Sequence, residues 1–135
     1  MPALLQNAKI MVVDDDVDTC ELLRFALERE GATVVATHSV NSAIESFRRC
    51  PPHAVIADIR LGISDGYALI KAIRAHNVEY RGFTPAIAMT GFASPDDENR
   101  ALESGFNAYF AKPFDPLLVV TTIQKILSGS AGLAA

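Results

Sequence analysis

Five short apolar runs, each followed by a stretch with helical period, restrict this chain more than any other feature. The runs are AKIMVV (8–13), ATVVAT (32–37), HAVIAD (53–58), TPAIAMT (84–90) and NAYFAK (107–112). Each is nearly continuous in apolar residues instead of alternating, as strands buried on both faces are. The segments between them repeat apolar residues at i, i+3 and i+4. In 17–31, Cys20, Leu23 and Leu27 form the stripe and Phe25 and Ala26 widen it, with Asp16 as N-cap and Gly31 at the C′ position. In 39–49 the stripe is Val40, Ala43, Ile44 and Phe47, and Pro51–Pro52 ends it. Residues 61–66 read as a loop. In 67–77 the inner face is Leu69, Ile70 and Ile73. The helix at 94–105 starts with Ser94 as cap, Pro95 at N1 and acids at 96–98, and ends at Gly105; the last, 115–127, starts with Asp115 and Pro116. Five βα units in a row predict a doubly wound α/β fold, a parallel five-stranded sheet covered by helices on both faces, with right-handed crossovers. The expected organisation is an N-terminal arm (1–7), one domain (8–128) and a flexible tail (129–135).

In such sheets, ligands bind beyond the carboxyl ends of the strands. The first run ends in Asp14 and Asp15, the third in Asp58, the fourth in Thr90 and the fifth in Lys112. Three carboxylates, a hydroxyl and an amine would thus meet on one rim although they lie far apart in sequence. That set suits phosphoryl transfer. A carboxylate can attack phosphorus to give an acyl phosphate, other carboxylates can hold Mg²⁺ through hard oxygen ligands, and an ammonium offsets charge as phosphate approaches. Asp16 and Asp18, which complete four acids in five positions, are explained without a metal as a helix cap and a first-turn acid.

With 135 residues, the chain suits one domain burying about two-thirds of its unfolded surface. A net charge of −4 argues against direct nucleic-acid binding. Cys20 and Cys50 form no CxxC pair and read as reduced, partly buried thiols. No secretory signal and no apolar run of membrane-spanning length is visible, so a cytoplasmic protein is expected. His38, His53 and His76 have no ligand spacing and read as loop or surface residues, and Arg48, Arg49, Arg74 and Arg81 form no basic stripe.

The motifs VVDDD, IADIRLGISDG, AMTGF and YFAKPF, in this order, resemble the receiver domain of two-component response regulators. The similarity runs from about residue 9 to 127. It implies the flavodoxin-like fold with strand order 2-1-3-4-5, and phosphorylation by a histidine kinase or a phosphotransfer protein. Asp58 matches the phosphoacceptor, Asp14 and Asp15 the acidic pair that holds Mg²⁺, and Arg60 the residue whose backbone carbonyl completes the metal site. Thr90 matches the switch hydroxyl, Lys112 the phosphate-binding lysine and Tyr109 the aromatic that turns inward on activation. The resemblance also implies a cis bond between Lys112 and Pro113, and a downstream protein partner at the surface of helix 4, strand 5 and helix 5. Two departures stand out. Leu61–Gly62 replaces the usual Met-Pro, which predicts a looser loop. Phe92, two past Thr90, predicts restricted water access and a long-lived phosphoryl group.

Rival readings fare worse. An EF-hand loop from Asp14 needs glycine sixth and glutamate twelfth, where Thr19 and Phe25 stand. An aspartyl-nucleophile phosphatase needs D-x-D-x-[TV], and neither Asp14 nor Asp16 starts one. A receiver-like module that is never phosphorylated has no need of the intact Asp14, Asp15, Asp58, Thr90 and Lys112 set. Met1 and the short tail favour a stand-alone regulator; the alternative is a receiver from a hybrid sensor kinase, which the stretch 84–116 resembles.

Overall fold

A computed structural model describes residues 4–61, 64–91 and 95–134. Five strands, β1 (Lys9–Val13), β2 (Thr33–Thr37), β3 (Ala54–Asp58), β4 (Ala86–Thr90) and β5 (Ala108–Ala111), form one sheet in the order 2-1-3-4-5. Every pairing is parallel. The helices are α1 (Val17–Arg29), α2 (Val40–Arg49), α3 (Gly66–Tyr80), α4 (Pro95–Ser104) and α5 (Pro116–Ala134). This is the parallel (βα)5 sheet that the apolar runs predicted, in the flavodoxin-like strand order that the family resemblance implied.

The pleat of each strand divides the core. Met11, Val13, Val55, Ala57, Ala86 and Ala88 face the layer of α2, α3 and α4. Ile10, Val12, Ala54, Ile56, Ile87 and Met89 face α1 and α5. Successive side chains point to opposite faces, so continuous apolar runs are required. The edge strands differ: β2 is only partly buried, and the residues of β5 are all half-buried or exposed. Among the described residues, no helix is long and apolar enough to cross a membrane.

Several local expectations need correction. Phe25 is 64% exposed, so α1's buried stripe is Cys20, Leu23 and Leu27, widened by the partly buried Ala26 and not by Phe25. Cys50 is exposed, while Cys20 is buried. α3 runs one turn past Asn77, whose side chain bonds Thr84 and leaves the helix intact. α5 continues beyond Leu127 to Ala134; no proline after Pro116 breaks it. At the stretch read as a loop (61–66), Arg60–Leu61 and Ser64–Asp65 pair as a small antiparallel ladder. Gly62, Phe92 and Ser94 lie outside the described residues.

Gly66 opens α3 because nothing larger fits. A Cβ there would sit 2.8 Å from Ile59 Cα and 2.9 Å from the Asp58 carbonyl oxygen. Both are backbone atoms, and the Gly66 N–H also bonds the Ile59 carbonyl at 2.9 Å. Gly66→Ala is therefore expected to destabilise the fold by about 1–3 kcal/mol despite alanine's better helix propensity, measured by urea denaturation. An unchanged midpoint would show that the close approach is not needed.

Candidate functional site at the carboxyl edge of the sheet

β1 ends at Val13, and the chain leaves the sheet as Asp14 and Asp15. Asp14 is fully buried. Its N–H bonds the Thr37 carbonyl at 3.1 Å, its Oδ1 accepts the Asp16 N–H at 2.9 Å, and its Oδ2 accepts the Lys112 ammonium at 2.7 Å. Asp58 is the last residue of β3 and is buried. Its Oδ1 accepts the Arg60 N–H at 2.8 Å, and its Oδ2 accepts Lys112 Nζ at 2.9 Å. Lys112 follows β5 and lies between the two carboxylates; the Lys112–Pro113 bond is cis. Thr90 closes β4, fully buried, and its carbonyl takes the Lys112 N–H at 2.8 Å.

One carboxylate oxygen from each of Asp14, Asp15 and Asp58 lies within 4.8 Å of the others. All three donors are hard oxygens, and Asp15 is exposed, leaving an open side where waters can complete a shell. Two oxygens on one Mg²⁺ lie at most about 4.2 Å apart, so small rotations would close the set. These residues fit Mg²⁺. Three carboxylates against one ammonium leave a formal excess of two negative charges, which a dication would neutralise.

Burial pushes the Asp14 carboxyl above its ordinary value of 3.8, and the Lys112 hydrogen bond opposes that rise only in part. Lys112 itself is raised: its bonds to Asp14 and Asp58 outweigh the burial that would lower it. A carboxyl raised in the fold favours folding at pH below the ordinary range and loses that contribution as pH rises through the raised value. At neutral pH the metal-free fold thus carries a cost. Asp14→Asn should melt higher than wild type at pH 7 without metal, by an order of 1 kcal/mol, with the gap closing toward pH 4. A lower melting point across that range would reverse the assignment.

The site brings together Asp14, Asp15, Asp58 and Lys112, with Thr90 and the Arg60 backbone against them. Tyr109 stands apart, two residues before the end of β5, packed on the α3–α4 side. Its buried hydroxyl has no hydrogen-bond partner among the described residues, and burial raises its pKa, with Asp97 and Glu98 adding to the rise. Asp16 caps α1, its side chain accepting from the Asp18 N–H and the Thr19 hydroxyl. Sequence reasoning missed two neighbours. The Arg60 guanidinium reaches Asp97 on α4 at 3.7 Å. His38, placed among surface residues, bonds the Asp14 backbone; its position one past β2, on the same rim, was the available signal.

Comparison with known proteins agrees with this geometry. The response regulator receiver domain family matches residues 10–124. A protein described as an uncharacterized 14.6 kDa protein in the sodA1 3′ region of Leptolyngbya boryana is 41% identical over 90% of this chain and 91% of its own. The transcriptional regulatory protein ZraR of Escherichia coli K12 is 32% identical over 96% of this chain, which spans only 28% of ZraR. The crystal structure of a putative response regulator from Chloroflexus aurantiacus superposes with a TM-score of 0.82 at 30% identity, covering 91% of this chain and 99% of that one. With the sheet order, the rim residues and a family match over most of its length, this chain belongs to the response regulator receiver domains of two-component signal transduction.

Proposed function

We propose that this receiver accepts a phosphoryl group on Asp58 from a histidine kinase or histidine phosphotransfer protein and switches a partner-binding surface. The observation that carries this is the convergence of Asp14, Asp15 and Asp58 on one point, with Lys112 Nζ 2.7 and 2.9 Å from two of them. Bound by the carboxylates of Asp14, Asp15 and Asp58 and the Arg60 carbonyl, Mg²⁺ would supply positive charge against the phosphoryl oxygens. An Asp58 carboxylate oxygen forms the new P–O bond as the donor's P–N bond breaks, and the departing imidazole keeps the electron pair and takes a proton from solvent. Lys112 moves its hydrogen bonds from the carboxylates to the phosphoryl oxygens. Thr90 donates its hydroxyl to another of those oxygens.

The switch reading has separate support. Tyr109 can reorient without breaking a hydrogen bond among the described residues. Movement of Thr90 toward the phosphoryl group would give it room, and the α4–β5–α5 surface would shift its population. We read the protein as a cytoplasmic single-domain regulator acting through a protein partner, in line with the relative of which it covers 91%.

Incubation with acetyl phosphate and Mg²⁺ is the test. One acid-stable, base-labile phosphoryl adduct is expected by mass spectrometry, absent with chelator and absent in Asp58→Asn. An adduct that persists in Asp58→Asn would place the acceptor elsewhere.

A further inference from the structure

Asp14 is the first residue past the β1 ladder. Its N–H still pairs with β2 through the Thr37 carbonyl, but β2 ends there and the chain turns into α2, with Ser39 as N-cap. In a continuing parallel ladder the Asp14 carbonyl would meet a backbone N–H of β2. Two side chains reach it instead. His38 Nδ1 lies 2.9 Å from that oxygen, and the buried Cys20 Sγ lies 3.5 Å away. A carbonyl only accepts, so Nδ1 carries the hydrogen. Burial pushes the Cys20 thiol up to about 11, so it stays neutral and remains a weak donor.

This oxygen has more leverage than its own residue. The Asp14 carbonyl and the Asp15 N–H belong to one planar peptide. Rotation of that plane would turn the Asp15 side chain relative to Asp14. Asp14 is buried and held at both carboxylate oxygens, whereas Asp15 is exposed and takes its starting direction from the backbone that joins the two. We propose that His38 is a positioning residue for the metal site, fixing the 14–15 peptide plane so that both carboxylates face Mg²⁺ before it arrives. This rests on the reading of Asp14 and Asp15 as Mg²⁺ ligands. The His38 ring is exposed and adds little to the core, so its hydrogen bond serves the site more than the fold.

Calorimetric titration of the whole chain with MgCl₂ tests this, using wild type, Asp14→Asn, His38→Ala and His38→Asn. The asparagine amide can donate from nearly the place of Nδ1. Wild type should bind and Asp14→Asn should lose most affinity. His38→Ala should bind about tenfold more weakly, the lower end for partners that orient metal ligands. His38→Asn should bind nearly as wild type, and both His38 variants should melt with wild type in the absence of metal. Equal affinity in wild type and His38→Ala would overturn the proposal while leaving the metal site standing. So would a loss that His38→Asn does not restore, or one matched by a lower metal-free melting point in both variants. No binding by wild type would remove the metal reading, and this proposal with it.

Discussion

Lys112→Ala is expected to bind Mg²⁺ more tightly and to be phosphorylated about 10²–10³-fold more slowly, the usual loss when one donor to a developing charge is removed. The opposite signs come from one geometry. The ammonium sits 2.7 Å from Asp14 and 2.9 Å from Asp58 and competes with a dication for the same oxygens. Without it the carboxylates attract the metal more strongly, but nothing replaces its contact with phosphoryl oxygens. The metal-free variant should also be less stable at neutral pH, by about 2 kcal/mol, because two buried carboxylates lose their counter-charge. Lys112 is raised in the fold, so its contribution is fully present below its ordinary value of 10.5 and lost as pH rises through the folded value. Saturating Mg²⁺ should restore most of the lost stability. Calorimetry, acetyl phosphate labelling rates and melts with and without Mg²⁺ read the three effects. Weaker metal binding in the variant would mean that Lys112 supports the cation site instead of competing for it.

The second large effect lies far from the chemistry. Arg74 on α3 donates five hydrogen bonds: Nε and one terminal nitrogen to the Gly105 carbonyl at 3.0 and 2.7 Å, and the others to the Thr84 carbonyl, Asn77 Oδ1 and Asn107 Oδ1 at 2.7, 2.7 and 3.0 Å. Its guanidinium also lies 5.2 Å over the Phe83 ring. These acceptors are carbonyl and amide oxygens, and they join α3 to the start of β4 and the turn before β5. Gly105 keeps φ at +118° there, and a Cβ would press on the Arg74 side chain at 3.2 Å. Arg74→Ala should cost about 3 kcal/mol or more, because several part-buried acceptors lose their donor at once. Arg74→Lys should recover little, since an ammonium cannot reproduce the planar fork. Urea midpoints of the three proteins decide it; full recovery with lysine would make charge, not geometry, the stabilising feature.

These two residues show what was legible in the sequence. Lys112 was visible because an apolar run ending in lysine before proline puts that lysine on the rim, where three acids were already expected. The same rule placed Asp14, Asp58 and Thr90. Arg74 was invisible, because its partners are mostly backbone oxygens and amides brought together only by folding. Phe25 was misplaced because helical period marks a broad stripe and cannot tell its buried centre from its exposed margin. α3 outran its expected end at residue 77 because no residue there breaks the helix, and the Asn77 side chain is occupied with Thr84. His38 carried no ligand spacing, and its contact with Asp14 is to a backbone atom that no motif records.

The Lys112 contacts also bear on synthesis. They close over 98 and 54 residues of chain. A ribosome-bound or truncated polypeptide that stops before β5 contains every carboxylate of the cluster and no ammonium to sit among them. Such a fragment would carry its excess negative charge uncompensated, without the ammonium that the proposed function sets against a phosphoryl group. The charge balance of the cluster is therefore completed only when β5 has joined the sheet and carried Lys112 to the rim.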